Sequence, residues 1–310
     1  MRAESTVPNA LIRTVPELGN WRAYLELCKP KVVALIVFTA IVGMLLAVPG
    51  LVPLWPFVLG TLGITLASAA AAALNQVVDR EADARMRRTD RRPLPTGTLD
   101  DRRSLIFASA LAALGMFILA AGVNPLTAIL TFGALIGYGV IYTLFLKRAT
   151  PQNIVIGGLA GAMPPVLGWT AVTGELHPHA LLLCLIVFVW TPPHFWALAL
   201  HKRDEYAGVD IPMLPVTHGE SLTRLHIWLY TILLVVVTLL PYLVGMSGWV
   251  YLIAALIFGG RFLHHAWRLW RHNEEGRAIR TFLFSITYLM ALFAALLLDH
   301  YLPLIHAAVT

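Results

Sequence analysis

The chain has 310 residues, of which 58% are hydrophobic and only 13% charged, and its mean hydropathy is +0.73. That composition excludes an ordinary soluble domain and points to a polytopic membrane protein. The net charge of +6 is not a nucleic-acid signal, because the basic residues are dispersed among loops that flank apolar runs.

Taken in order, residues 1–22 are polar, carry acids at Glu4 and Glu17 and lack an apolar core. They fit neither a cleaved signal peptide nor an acid-poor transit peptide, and read as a tail. Nine apolar runs follow, each near the ~20 residues a spanning helix needs. They fall at about 30–48, 55–76, 104–122, 126–146, 153–172, 179–200, 225–246, 248–270 and 279–299. The expected fold is therefore all-α, nine helices bundled around a central cavity that opens to the cytoplasmic side. The membrane domain would cover 23–302, with a short tail at 303–310. Pro241 should kink or end the seventh helix. The lower part of the eighth, from Arg261 to Arg271, is amphipathic and is expected to run along or out of the interface. Cys28 and Cys184 form no CxxC pair and read as buried thiols.

The basic residues sort the loops. Lys29 and Lys31 stand at the first run, and eight arginines lie between the second and third. Lys147 and Arg148 follow the fourth run, Lys202, Arg203 and Arg224 flank the sixth–seventh loop, and five arginines surround the last turn. The alternate loops, 49–54, 122–125, 173–178 and 245–248, contain no lysine or arginine. With nine spans, every basic loop falls on one side. The positive-inside rule makes that side cytoplasmic, with the C-terminus outside, in a plasma or inner membrane. Glycine and alanine runs in the second, fourth and fifth helices read as close helix packing.

Two acidic clusters stand on the basic side. Asn75, Asp79 and Asp83 are spaced by four, which stacks them on one helical face. Two stacked carboxylates repel unless a cation lies between them, and such oxygen ligands suit Mg²⁺ shared with a phosphate. Arginines follow at once, Arg88 and Arg92 among them, and arginine is suited to bidentate phosphate contact. The second cluster, Asp204, Glu205 and Asp210, follows the sixth helix. Both loops read as acids, then a proline turn, then a small polar exit, which hints at two related halves facing one cavity mouth. Together they could hold metal against one diphosphate, with Arg88, Arg92, Lys147 and Arg148 taking its remaining charge. The bland alternative for the first segment is a solvated loop of mixed charge.

The Asn75-x-x-x-Asp79-x-x-x-Asp83 pattern resembles the first aspartate motif of the UbiA-type intramembrane prenyltransferases. Three longer stretches resemble the haem-farnesylating branch of that family. They are Asp83 to Pro95; Tyr142 to Pro165, containing Lys147, Arg148 and Asn153; and Trp190-Thr-Pro-Pro-His194-Phe-Trp196 with the following Asp204-Glu205-Tyr206. The similarity spans about residues 22–300. One departure concerns the second motif. The family usually has two aspartates spaced by four, whereas this chain has adjacent Asp204 and Glu205 and then Asp210. That leaves open which of the three meets metal.

The resemblance implies Mg²⁺ as cofactor and farnesyl diphosphate and haem B as substrates. Diphosphate leaves, a haem vinyl group attacks the allylic cation, and water completes a hydroxyethylfarnesyl side chain. It assigns Asn75, Asp79 and Asp83 to catalysis, and adds Asp204 and Glu205 to the metal set. Tyr142, Asn153, Tyr206 and Asp210 join as further site residues. The product would pass to haem A synthase or terminal oxidase assembly. His194, Trp190 and Trp196 are candidate haem contacts; read from residues alone, His194 is more simply a hydrogen-bonded residue of the bundle. Two other readings stay open: a prenyltransferase acting on a quinone precursor such as 4-hydroxybenzoate, and a transporter.

Overall fold

A computed structural model describes residues 21–309 except 273 and 275, with side chains described to residue 303. The expected tail over 1–22 lies outside the described residues except for Trp21 and Arg22, which already belong to the first helix. Among the described residues every regular element is helical.

The first span is bent. Helix α1 (Trp21–Leu27) and helix α2 (Pro30–Leu46) meet at 55°. The break is at Lys29, whose φ of 51° and ψ of 60° are left-handed, and Pro30 then fixes the first residue of α2. Helix α3 (Leu54–Val78) ends at Asp79, and the short α4 (Arg80–Ala84) follows at once. Helix α5 (Asp101–Gly122) is capped by the Asp100 carboxylate, which accepts from the Arg103 amide. It packs along α3 so closely that a Cβ on Gly115 would stand 2.9 Å from the Gly63 carbonyl.

The fourth span begins as α6 (Pro125–Ile136), turns into a π-helix over Gly137–Leu146 and closes with the single turn α7 (Lys147–Ala149). The fifth is α8 (Asn153–Ala162) and α9 (Pro164–Thr173), broken at Met163–Pro164. Continuous helices were expected in both places; proline explains the second break. Helix α10 (Pro178–His201) is the most buried span. It packs against α8, α9, helix α13 (Glu220–Leu243) and helix α15 (Arg277–Val309). Between α10 and α13 lie α11 (Arg203–Ala207) and α12 (Leu214–Thr217).

Helix α14 (Trp249–Arg271) is continuous to its end and packs against α13 and α15. Its lower part therefore stays in the bundle rather than leaving it, because Phe262, Ala266 and Leu269 bury one face while Arg261, His264, Trp267 and Arg268 remain outside. Asp299 of α15 caps α14 from a distance, accepting from the Val250 amide at 3.1 Å and the Ser247 hydroxyl at 2.9 Å. Pro241 lies two residues before the end of α13. The backbone of α15 runs on to Val309, so most of the short tail expected at 303–310 is helix.

Among the described residues, eight helices are long and apolar enough to cross a membrane, and the bent α1–α2 pair supplies a ninth when it counts as one span. Exposed Phe117, Ile129 and Ile257 belong to lipid-facing surfaces. Both cysteines are free. A second apolar core at the polar end of the bundle joins Ala82 and Met86 to Ile154, Trp196, Ala197, Tyr206 and Ile211. This packing pins the loop after α3 against α8, α10 and α11.

Candidate active site

Asn75 and Asp79 stand on the last turn of α3 and at its end, and Asp83 on α4. All three are buried. The helix is assigned as broken at Asp79, yet the Asp79 amide donates to the Asn75 carbonyl at 3.0 Å and the Asp83 amide to the Asp79 carbonyl at 2.8 Å. The four-residue stacking therefore survives the break.

Each acid has a cation. Lys147 Nζ donates to Asp79 Oδ2 at 2.6 Å, and Arg92 Nη1 donates to Asp83 Oδ2 at 2.6 Å. Asn75 Nδ2 donates to the same Asp79 oxygen at 2.9 Å and to Thr143 Oγ1 at 3.2 Å. Its own Oδ1 accepts from Lys29 Nζ. Lys29 is thus a member of the site, within electrostatic reach of Asp79, Asp83, Arg92 and Lys147. Sequence reasoning placed it only among membrane-flanking charges. The one clue was its position directly before Pro30.

The π-helix explains how Lys147 reaches Asp79. Thr143 Oγ1 donates to the Tyr138 carbonyl at 2.7 Å, five residues back. The wider turn reorients the following residues toward α3, a distortion often found at functional sites. Tyr138 and Tyr142 stack at 5.5 Å, and Tyr142 fills the space over Gly157, where a Cβ would lie 2.2 Å from its ring. Asn153 is fully buried and donates to the Lys147 carbonyl at 3.1 Å, which fixes the end of the span. Arg148, by contrast, is exposed, and no polar contact ties it to the cluster.

The second cluster divides. Glu205 is half-buried, bonded to Lys202 Nζ at 2.7 Å, and meets the Arg88 backbone. The Lys202 hydrogen bond, followed by the Lys202 and Arg88 charges, holds its carboxyl below the usual glutamate value against the opposing effect of burial. Asp204 and Asp210 are exposed. Asp204 and Glu205 line a recess of ≈ 270 Å³ with His201, Lys202, Arg203 and Glu220. Tyr206 is buried between the two clusters, within reach of Asp79, Arg88, Arg92 and Glu205. Burial pushes its hydroxyl above the ordinary value, so it is a neutral donor.

Among the described residues no three His, Cys, Asp or Glu side chains form a ready cage for a metal ion. The oxygens nevertheless fit one. Asp79 Oδ1 and Glu205 Oε2 are buried and lack any hydrogen-bond partner. Such orphaned carboxylate oxygens suit Mg²⁺, which keeps several waters and is commonly shared with substrate phosphates.

Deeper in the bundle, His194 is sandwiched between Trp190 at 4.2 Å and Phe282 at 4.5 Å. Its Nδ1 is 2.7 Å from Ser285 Oγ, and that hydroxyl donates its only proton to the Phe282 carbonyl at 2.6 Å. With the Ser285 proton given to that carbonyl, Ser285 accepts from His194, and Nδ1 then carries the imidazole proton while Nε2 keeps the lone pair. Trp190 Nε1 donates to the Ser285 carbonyl at 2.8 Å. Trp196 does not join this group. It lies on another face of α10, edge-on to His226 and Tyr230 of α13.

The profile of the UbiA prenyltransferase family matches residues 36–298. The chain belongs to the UbiA prenyltransferase family. The transporter reading is thereby set aside. Among its relatives are the protoheme IX farnesyltransferases of Hahella chejuensis, 61% identical over 92% of this chain and 95% of that one, and of Methylococcus capsulatus, 62% identical over 92% and 96%. Solved structures agree on the fold. A digeranylgeranylglyceryl phosphate synthase superimposes with a TM-score of 0.76 at 19% identity, covering 90% of this chain and 98% of that one. A UbiA homolog from Archaeoglobus fulgidus bound to DMAPP and Mg²⁺ gives 0.64 at 18% identity, covering 88% and 99%.

Proposed function

We propose that this UbiA-family chain is a protoheme IX farnesyltransferase, which moves the farnesyl group of farnesyl diphosphate to a vinyl group of haem B and yields haem O. The substrate assignment is supported by the relatives of that name, which match at about 60% identity along nearly the whole chain. The single structural observation that carries the chemistry is the joining of Asn75, Asp79 and Asp83 to Lys29, Lys147 and Arg92 in one buried cluster.

In this reading Asp79 and Asp83, with Asn75 and Glu205, hold Mg²⁺. The ion would screen the diphosphate and stabilise it as a leaving group. Lys147 and Arg92 exchange their carboxylate partners for diphosphate oxygens, and Lys29 and Arg88 add charge at the same edge. The farnesyl C1–O bond breaks and diphosphate departs with the electron pair. A vinyl carbon of the macrocycle then bonds to C1, and water adds to the remaining cationic carbon with loss of one proton. Tyr138, Tyr142 and Tyr206 lie around the cluster and shield it from bulk water. Asp204 and Asp210, being exposed, are weaker candidates for metal than Glu205. Arg148 remains a candidate for long-range attraction of diphosphate only. His194, held in one tautomer, offers Nε2 to the haem, with Trp190 beside it; Trp196 shapes the helix packing behind them.

The sidedness of the basic loops supports a cluster at the cytoplasmic face of a plasma or inner membrane, with the C-terminus on the other side. Purified protein given haem B, farnesyl diphosphate and Mg²⁺ should convert the pigment to a product whose mass has risen by one farnesyl group and one hydroxyl group. Removal of Mg²⁺ by a chelator should stop it. An unchanged pigment, alongside prenylation of 4-hydroxybenzoate, would replace haem by a small aromatic acceptor.

A further inference from the structure

The groove between the lower halves of α14 and α15 carries charge that the transfer reaction does not use. His264, His265 and Arg268 of α14 face Arg277, Arg280 and Thr281 of α15 around a small pocket of ≈ 70 Å³. Among the described residues, Glu274 pairs with Arg277 at its edge. Arg277 is buried, and its Nε lies in the protein without a hydrogen-bond partner. A buried guanidinium N–H without an acceptor is costly, and three arginines around one hollow repel one another. Both features point to a bound anion.

The groove opens outward, where His264, Arg268 and Arg280 are exposed. Arg280 and Phe282 are two residues apart, which places them about 160° apart around the helix axis. Phe282 stacks on His194. A haem at His194 would therefore meet α15 on the side opposite Arg280, one turn above Thr281, because Ser285 bonds His194. The volume is also far below the roughly 300 Å³ at which sites for drug-sized ligands begin. A phosphate group fits this size and charge.

The surroundings decide what the phosphate belongs to. Exposed Trp267 and Leu283 flank the groove. Just above it, Arg261 lies 5.4 Å over the Phe284 ring, and His265 stacks on that ring at 4.6 Å. The pocket thus has a basic floor at the membrane edge and apolar walls rising into the bilayer. Basic pockets between helix ends of this kind hold acidic lipid headgroups. We propose that the α14–α15 groove is a binding site for the phosphate headgroup of an anionic phospholipid, with its acyl chains along the lipid-facing surfaces of the two helices.

The full-length protein would be placed in phosphatidylcholine nanodiscs with and without phosphatidylglycerol, extracted gently and weighed with its retained lipid. Wild type should keep phosphatidylglycerol in preference to phosphatidylcholine. Arg268→Gln/Arg280→Gln should retain it about ten-fold less. Arg22→Gln/Arg102→Gln, which removes two exposed arginines elsewhere, should retain it as wild type does. If the first double variant melts early in phosphatidylcholine, Arg280→Gln alone is read instead, since that side chain is exposed. Equal retention by the groove variant and wild type would overturn the site. Displacement of the lipid by millimolar inorganic phosphate would assign the pocket to a free anion. Displacement by haem B would assign it to propionates. Either would overturn the lipid assignment.

Discussion

Lys29 Nζ donates to Asn75 Oδ1 across 46 positions of sequence, and it does so from a left-handed backbone. A non-glycine residue in that region costs about 1 kcal/mol, so the bend between α1 and α2 places the ammonium at some expense. Gln76 secures the same bend by donating to the Glu26 carbonyl at 3.1 Å and the Leu27 carbonyl at 3.0 Å. Lys29→Gly keeps the bend, relieves the backbone and removes the ammonium with its hydrogen bond to Asn75. It should leave the melting temperature near wild type and lower kcat/KM for farnesyl diphosphate about 10- to 100-fold. Lys29→Arg should recover part of the loss. A folded Lys29→Gly protein with wild-type kcat/KM would remove Lys29 from the site.

The Asp79–Lys147 pair predicts a coupling. Both side chains are largely buried, at 4% and 14% exposure, and removal of one partner from such a pair costs about 3–5 kcal/mol. Asp79→Ala should therefore lower stability as well as abolish haem O formation. Asp79→Ala/Lys147→Met should be more stable than the sum of the single changes predicts, while remaining inactive. Additive stability losses in thermal melts would show that the ion pair is not an energetic unit. Glu81 is exposed and off the Asp79–Asp83 face, so Glu81→Ala should retain most activity; its equal loss would show that the four-residue spacing is irrelevant.

These residues differ in how far the sequence reveals them. Asn75, Asp79 and Asp83 are legible because four-residue spacing survives the helix break. Arg92 is legible because it follows those acids directly, and Lys147 because its basic loop falls on the same side of the nine-span pattern. The nine-span count follows from hydropathy and the sidedness of arginine. Lys29 is not legible, since its role depends on a left-handed bend. Nor is Thr143, because a π-helix has no hydrophobic period of its own to announce it. Ser285 looks like any small residue in a spanning helix until α15 is laid against α10, 91 positions from His194. Trp196 was grouped with His194 by proximity in sequence, although the two are about 160° apart around α10.

Packing predicts a different failure. At Gly168 of α9 a Cβ would lie 1.9 Å from the Ala40 carbonyl of α2. Backbone is the obstacle, so the neighbour cannot turn aside. Gly168→Ala should force α2 and α9 apart, costing about 1–3 kcal/mol or more. Because α2 carries Lys29 at its start, activity should fall along with the melting temperature. An unchanged melting temperature would mean that the two helices pass farther apart than this contact requires. Gly161→Ala, in the same broken span but facing open space, should be mild by comparison.

The last prediction separates the haem from the diphosphate. When the Ser285 hydroxyl donates to the Phe282 carbonyl, it accepts from His194 Nδ1 and leaves Nε2 unprotonated. Ser285→Ala removes that acceptor while the backbone carbonyl that receives Trp190 Nε1 stays in place. The Trp190–His194–Phe282 stack should therefore persist, but the imidazole loses its fixed tautomer. If His194 contacts haem through Nε2, Ser285→Ala should shift the Soret band of the bound pigment and weaken haem binding. Such second partners of a ligating histidine are worth about 10- to 100-fold in affinity. The Michaelis constant for farnesyl diphosphate should not change, because Asp79, Asp83, Arg92 and Lys147 are untouched. His194→Ala should shift the band further and deepen the loss of haem binding. If Ser285 and His194 serve only to pack α10 against α15, both variants should melt earlier with the pigment spectrum unaltered. A stable His194→Ala protein with a normal Soret band and normal turnover would clear His194 from the haem site and leave the prenyl-diphosphate chemistry where it stands.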